Sequence, residues 1–565
     1  MSGPPFQIAD WQSAVTEKRR HRDERIPRSH RLPEHLAERA AKGLLKPAEK
    51  EVLECGILTA LDIEITSISD AAVLLERIVV SKRYSAVAVV EAYCKRASIA
   101  QQIVNCVTEI LYDTALERAK YLDDYLERNG TPIGVLHGLP VSLKDLYAVK
   151  GVHATAGLVS WIPTVSAEDS SITKGILAAG GIIYVKTNVS QGHLMVESIN
   201  NVFGTTSNPY NPALSAGGSS GGEAAILAAR GAIIGSATDG GGSIRLPAAF
   251  CGLWGLKCSK GRMPTMGIES PGDGNESTNA GLGPMARSVS GCELWLQAQL
   301  ANEPWNFDFT CIPMPWNAED ARRPTERLTI GVVRDDGVVR PTPPVSRAVE
   351  EVVTLLKAAG HTVVSLPAGE IQDLHRRGTS CVMKSNVQGG GVGIMRHINA
   401  SGEPVVPRTA TGSDASLLTA LEIFANHRER AALARRYNAL WTRHGLLDAI
   451  LAPAVAHPAP PHGKYISNAY AGIYNMLDYV TGSVPVTMVD LEKDVAAPEW
   501  YEAEPYPRIE GVRFPYDWGD KEMKEVYESP KVFQGSPVGV QIVCRRFREE
   551  KCIGILKEVE ALLRS

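Results

Sequence analysis

The chain has 565 residues, 44% of them hydrophobic and 22% charged, with a formal net charge of −4; that is an ordinary globular composition, long enough for one large elaborated domain or several smaller ones. The charge balance gives no reason to expect nucleic acid, and the basic run KRRHRDERIPRSHR at residues 18–31, broken by Asp23 and Glu24, reads as a solvated arm. Ten cysteines show no CxxC pair and irregular spacing, which argues against a zinc site and a disulfide framework and for reduced, mostly buried thiols in a cytoplasmic protein.

The opening residues are polar and carry prolines, without the pattern of a secretory leader. The most apolar stretches, residues 175–185 and 224–237, are too short for a membrane span. Residues 1–80 are charged and helix-prone, and they are expected to form a helical preamble packed on a main body of residues 81–565. Within the preamble Pro47 opens a helix over 47–55, and Asp70 is placed to cap another over 71–81. Helices over 86–98 and 111–128 follow. A short apolar strand over 140–143 then runs into Lys144-Asp145, a helix over 171–179 stops at Gly180-Gly181, and a strand over 182–186 ends at Thr187-Asn188.

Next come a helix over 223–230 and a buried strand over 232–236. Residues 304–327 lack periodicity and read as an irregular insertion, after which 328–333, 345–359 and 362–366 spell strand, helix, strand. Residues 389–391 and 404–412 are loop, and 415–444 is a long helix. Strands over 448–452, 484–489 and 538–543 precede a closing helix over 549–563, and residues 496–530 read as a surface excursion. Strands alternating with helices predict an α/β fold: a single large domain with a central mixed sheet flanked by helices.

Between residues 215 and 255 lie two serine-bearing glycine clusters, Gly217-Gly218-Ser219-Ser220-Gly221-Gly222 and Gly240-Gly241-Gly242-Ser243. The predicted helix and strand between them can return both clusters to one end of a sheet. Glycine allows positive φ and close approach of backbone N–H groups, so such a segment suits an activated hydroxyl beside an anion-binding nest of amides.

Three chemistries compete for it. GGSSG formally satisfies the G-x-S-x-G nucleophile elbow, with His457 or His462 as the late base. The elbow needs a strand running into the serine, whereas Asn208-Pro209-Tyr210-Asn211-Pro212 is turn-rich coil. A phosphate loop is disfavoured because no G-x-x-x-x-G-K-[ST] occurs. The third chemistry is a serine hydrolase whose base is a lysine.

Here the sequence resembles the amidase signature family. The matching residues are Gly138-Leu139-Pro140-Val141-Ser142-Leu143-Lys144-Asp145, Lys186-Thr187-Asn188, Phe203-Gly204 and Asn208-Pro209. They continue through 217–223, 238–245, Pro247-Ala248-Ala249-Phe250, Gly252-Leu253-Trp254-Gly255-Leu256-Lys257 and Pro537-Val538-Gly539-Val540-Gln541. The resemblance spans about residues 70–560, with its signature core at about 130–260, and residues 142–161 and 186–211 most resemble the acetamidase-like branch known from fungi.

The resemblance implies a Ser-Ser-Lys triad: Lys144 as base, Ser219 as the bridging serine after a cis peptide, and Ser243 as nucleophile. A lysine serves as base only when neutral, and burial favours that form; a serine between the two can donate and accept at once. The oxyanion hole falls to the backbone N–H groups of Gly240, Gly241, Gly242 and Ser243. Gly240 stands where many relatives carry a larger aliphatic residue, and His193 where they place an apolar residue lining the substrate cavity. His193 is therefore either a hydrogen-bonding partner of a polar substrate or a satisfied wall residue. Cavity walls are expected from residues 157–161, the 190s and the long segments after the core.

Blander readings apply elsewhere: Asp145 as an organiser, Asp239 and Arg245 as a structural ion pair, His137 as a structural residue and Cys251 as a buried small hydrophobe. Ser220 is either part of the hydroxyl network or a loop serine. The expected reaction is hydrolysis of a small aliphatic or aryl carboxylic amide to acid and amine through an acyl-enzyme on Ser243, with no metal and no cofactor. The same triad would also serve an ester, carbamate or lactam, or an amidotransferase subunit, and a non-catalytic scaffold is the remaining alternative. The partner expected is the small-molecule substrate; nothing in the sequence excludes a homodimer.

Overall fold

The computed structural model describes residues 6–272, 274–443, 445–509 and 519–565. Thirteen strands occur among them: β1 (Val107–Ile110), β2 (Pro140–Lys144), β3 (Ile182–Thr187), β4 (Ile199–Asn200), β5 (Gly204–Thr205), β6 (Ile234–Asp239), β7 (Trp254–Lys257), β8 (Gly281–Ala286), β9 (Thr329–Val332), β10 (Thr362–Ser365), β11 (Ala449–Pro453), β12 (Val480–Met488) and β13 (Pro537–Cys544). Eleven form one mixed sheet in the order β1-β3-β2-β6-β8-β7-β12-β13-β11-β9-β10, and β4 pairs with β5 apart from it. Helices flank this sheet in a single domain.

The parallel part that matters most is β3-β2-β6. Val141, Ser142 and Leu143 stand opposite Ile234, Gly235 and Ser236, so β2 and β6 deliver their carboxyl ends to the same edge. In open α/β sheets that edge is where ligands bind.

Local signals start the flanking helices where the sequence places them. Asp70 accepts from the N–H groups of Ala72 and Val73 at the start of Ala71–Val79, Ser85 caps Ala86–Val104, and Ser170 caps Ser171–Ala178. The helix expected over 86–98 runs on to Val104 because Ile99, Ala100, Ile103 and Val104 continue its buried face. The helix expected over 47–55 shrinks to Lys50–Leu53. The long helix occupies Ala420–Arg443; His444, which the sequence reading included, lies outside the described residues. Of the expected excursion 496–530, residues 510–518 lie outside the described residues, and the rest holds two short helices, Pro498–Glu502 and Asp520–Val526. Residues 304–327 are turns and one short 3-10 segment, with Trp305 and Trp316 packed on the core.

The basic run at 18–31 is not a solvated arm. Its first half lies in the helix Trp11–Glu24, where Lys18 and Arg22 are buried. Lys18 pairs with Glu109 on β1, and Arg22 and Arg25 donate to the carbonyls of Val107 (3.2 Å) and Ile110 (3.1 Å). The guanidinium groups therefore cover the open backbone of an edge strand, which removes a template for unwanted pairing.

The main buried cluster joins Leu36, Val52, Ile65 and Leu74 of the N-terminal helices to Val141, Ile176, Ile234 and Trp295. A second, around Leu374, Tyr437, Trp441, Ile473 and Tyr474, packs the helices Ala368–Val387, Ala420–Arg443 and Ala469–Met476 together. All ten cysteines are free thiols, and all but Cys55 are buried. No helix among the described residues is long and apolar enough to cross a membrane.

Candidate active site

Lys144 is the last residue of β2 and is completely buried. Its Nζ donates to Ser219 Oγ (2.7 Å) and to Thr238 Oγ1 (2.8 Å) near the end of β6. Burial pulls the amine down to about 7, against the opposing pull of Asp239 and Glu223. A lysine seated this way is substantially neutral at physiological pH and can accept a proton.

Ser219 is held by the first glycine cluster. The Gly218–Ser219 peptide is cis, and Gly217 has φ 80°. A Cβ on Gly217 would lie 2.8 Å from Pro247 Cα, and one on Gly218 2.6 Å from Glu197 N, so neither position accepts a side chain. The helix that follows begins at Gly221, two residues before the expected Glu223 and ends at Ala228. Its first N–H groups are taken by Ser198 Oγ (2.8 Å, from Gly221) and Asn188 O (3.0 Å, from Gly222). The next strand also differs from the expected 232–236. It runs over Ile234–Asp239 because its polar end pairs with β8 through Thr238↔Leu282 and Asp239↔Gly281.

The second cluster is anchored by Asp239. One carboxylate oxygen accepts from Gly242 N (2.7 Å), the other from Ile244 N (3.1 Å), and both are gripped by Arg245 through Nε and Nη2 at 2.9 Å. The pair is fully buried. Burial alone would raise Asp239, but the Arg245 charge and hydrogen bonds, with help from Lys257 and Asn475, hold it well below the usual carboxylate range. Arg245 continues to Ala471 O (2.8 Å) and Gln541 Oε1 (3.1 Å), while Asn475 Nδ2 donates to Asp239 O (2.8 Å). Asn468 Nδ2 fixes the carbonyl of Gly241 at 2.8 Å.

This brace engages one of the four N–H groups expected in the oxyanion hole. The N–H of Gly242 is committed to Asp239, because the φ of 119° at Gly242 turns it back toward the strand end. The N–H groups of Gly240, Gly241 and Ser243 make no hydrogen bond among the described residues. A Cβ on Gly240 would make only ordinary contacts, with Thr278 Cγ2 at 3.8 Å and Ala280 Cβ at 3.9 Å. A Cβ on Gly242 would sit 2.3 Å from Leu246 Cδ1. Ser243 is half-buried, and no hydrogen bond joins its hydroxyl to Ser219.

His193 has φ 63° and donates its N–H to Ser190 O at 3.0 Å. Its Nε2 is buried and has no hydrogen-bond partner. Burial, and then the charge of Lys144, push the imidazole well below its ordinary value, so the ring is neutral. Next to it Leu194 packs on an apolar cluster of Ala156, Leu158, Trp161, Ile394 and Ile398. Thus residues near 157–161, the 190s and the post-core helix Val392–Ser401 come together.

The remaining candidates separate. Asp145 accepts from Thr108 Oγ1 (2.9 Å), from Thr155 N (2.8 Å) and Oγ1 (2.9 Å), and from Ala156 N (2.8 Å), which ties β1 to the loop after β2. His137 Nδ1 accepts from Ile133 N. Ser220 Oγ reaches only Thr238 O, at 3.4 Å. Cys251 is fully buried, and burial pushes its thiol well above its ordinary value. His457 stacks on Phe250, and His462 pairs with Glu197. No histidine among the described residues hydrogen-bonds Ser219 or Ser243, so the nucleophile-elbow reading has no base. Sequence reasoning gave no role to Thr238, Glu223, Asn468 or Asn475; a hydroxyl at the carboxyl end of the strand beside the lysine's own was the one signal available for Thr238.

Known proteins resemble this chain over most or all of its length. The family described as Amidase matches residues 88–553. An acetamidase of Aspergillus oryzae is 36% identical over 571 aligned residues, covering 98% of this chain and 99% of its own. An acetamidase of Emericella nidulans is 36% identical over 533, covering 92% and 94%. Among solved structures, a fatty acid amide hydrolase superposes with a TM-score of 0.89 at 30% identity, over 99% of this chain and 97% of that one.

Proposed function

This chain belongs to the amidase signature family of amide-hydrolysing enzymes, and from that premise we propose that Lys144, Ser219 and Ser243 perform the hydrolysis as a proton relay ending in a serine nucleophile. The observation that carries the reading is the buried, depressed Lys144 amine 2.7 Å from Ser219, beside three uncommitted N–H groups at the end of β6.

In this reading Ser243 Oγ attacks the amide carbonyl and its proton passes through Ser219 to Lys144. The N–H groups of Gly240, Gly241 and Ser243 receive the tetrahedral oxyanion; loss of one such donor typically costs about 10²–10³ in turnover. Lys144, now an ammonium, returns the proton through Ser219 to the departing amine. Water then cleaves the Ser243 ester by the reverse route. The relay requires Ser243 to turn toward Ser219 when substrate binds, a tightening common in such sites.

The substrate class we assign is a small aliphatic or aryl amide. Two near-full-length relatives are named acetamidases, and the apolar wall formed with Leu158, Trp161 and Leu194 suits an apolar acyl group. His193 Nε2, a buried polar atom beside that wall, is assigned as a hydrogen-bond partner for the bound amide.

The test is release of ammonia from a panel of amides of increasing acyl length, followed against pH. Because the neutral amine is the base, kcat/KM should rise with pH through about 7, the value to which Lys144 is lowered. A rate that falls as pH rises through that range, or cleavage of esters but of no amide, would overturn the reading.

A further inference from the structure

Glu197 and His462 stand 265 residues apart in the chain and outside the relay just described, yet they form an ion pair, Oε1 to Nδ1, at 2.5 Å. The other carboxylate oxygen accepts from Gly463 N at 2.9 Å, and the other ring nitrogen faces Pro212 O at 3.1 Å. A carboxylate and a carbonyl can only accept, so the imidazole must donate from both nitrogens, and only the doubly protonated cation does that. Burial opposes the charge, but the hydrogen bond and charge of Glu197, with the Pro212 carbonyl, raise His462 above its ordinary value.

The pair is tied to the loop that holds Ser219. The backbone at Glu197 lies against Gly218, and the next residue, the buried Ser198, makes three bonds to the same loop. Its N–H donates to Gly217 O (3.0 Å), its Oγ donates to Ser219 O (3.2 Å), and that Oγ accepts from Gly221 N (2.8 Å). The segment that carries His462, between β11 and the helix Ala469–Met476, also receives Ser215 N on Pro460 O (2.8 Å), and Asn468 at its end holds Gly241 O. One segment thus braces both serine loops, and the ion pair is a charged contact with the first.

We propose that the Glu197–His462 ion pair positions the relay, holding Ser198 on the cis-peptide loop so that Ser219 Oγ stays within reach of Lys144. This rests on the assignment of Ser219 as the bridging serine. Neither side chain belongs to the apolar wall, so the pair acts on the rate of acylation and not on the fit of the substrate. Other charge is sparse around it. Residues 195–199 bring only Glu197, residues 205–219 bring none, and residues 454–468 add the exposed Lys464 and His457, which burial pulls down to about 4. Tyr210 and Tyr465 on the same segments are pushed up by burial and stay neutral.

The test combines 15N-resolved titration of the His462 imidazole with steady-state kinetics. Its signal, assigned by its absence from His462→Gln, should titrate above the ordinary histidine value of about 6.5 in the parent and at lower pH in Glu197→Gln. In both single variants kcat for an amide should fall roughly 10- to 100-fold, as for a misplaced reacting group, with KM close to the parent's. The double variant should be no slower than the slower single one, because the partners act as a unit. Ser198→Ala should repeat the loss in kcat while leaving the His462 titration unmoved. A His462 signal at or below the ordinary value, a parent-like kcat in Glu197→Gln or Ser198→Ala, a loss carried wholly by KM, or additive losses in the double variant overturns the proposal. If far-UV circular dichroism shows that Glu197→Gln does not fold, kcat and KM of His462→Gln decide instead. Ser219→Ala, assayed in parallel, separates the two ideas. Parent-like turnover there refutes the bridging serine, whereas a slow Ser219→Ala beside a parent-like Glu197→Gln refutes only the role of the ion pair.

Discussion

Lys144→Met is expected to lower kcat/KM for an amide by about 10⁴-fold or more, in line with the loss of a member of a catalytic triad. The protein should at the same time become no less stable. The side chain is fully buried and its amine is pulled down to about 7. In the unfolded chain the amine holds its proton up to about 10.5, so folding must strip that proton across the window from about 7 to about 10.5. The resulting destabilisation is absent above the upper value and grows as pH falls. It is fully present below the lower one, where it is on the order of a few kcal/mol. Methionine fills similar space without that cost. The thermal midpoint of Lys144→Met should therefore match or exceed that of the parent at pH 7, and the difference should shrink toward pH 10. A variant that loses stability and activity together at every pH would make Lys144 a structural residue.

Asp239→Ala should act in the opposite sense, destabilising and inactivating at once. It strips the counter-charge from a completely buried Arg245 and the acceptors from the N–H groups of Gly242 and Ile244. Breaking one side of a buried pair typically costs about 3–5 kcal/mol. The loop bearing Ser243 is held by those same bonds, so acylation should fail even where the fold survives. Thermal unfolding and acylation rate give the two readouts. The partners act as a unit, so adding Arg245→Met to Asp239→Ala should cost much less than the sum of the single changes. Additive losses would show that Asp239 and Arg245 act separately.

What the sequence made legible follows from how local each signal is. Pro140–Lys144, Ser171–Ala178 and Ile182–Thr187 stand close to where periodicity and capping put them, because each boundary is marked within its own segment by a cap, a glycine or a run of β-branched residues. Lys144 and Ser219 follow from the family resemblance that the two glycine clusters and an upstream lysine carry, and the lysine at the end of β2 reaches Ser219, just before the helix Gly221–Ala228, at 2.7 Å. Strands β7 and β8 left no such trace. Gly281, Gly283 and Pro284 are residue types depleted in strands, yet glycine is required there, for a Cβ on Gly283 would fall 1.7 Å from Leu256 O. Strand β12 begins at Val480 rather than Val484 because Gly482 admits Leu556 against the sheet.

The helix Ala469–Met476 is buried on every side, which erases the amphipathic period that would reveal it. The hidden half of the site has the same origin. Asn468 and Asn475 reach the Ser243 loop from more than 220 residues away, at separations of 227 and 236, and no spacing rule joins such positions. The bond from Gly242 to Asp239 is likewise invisible in GGGS, since it depends on which way one N–H points.

Where the acyl group is held decides the mechanism most directly. Intact-mass analysis and peptide mapping after brief reaction with a fluorophosphonate, or after quenching during amide turnover, should find a single adduct on Ser243. It should be absent from Ser243→Ala and form slowly in Ser219→Ala. An adduct on Ser219, Ser220 or Cys251, or labelling of Ser243→Ala at the parent rate, would contradict the assignment of nucleophile and relay.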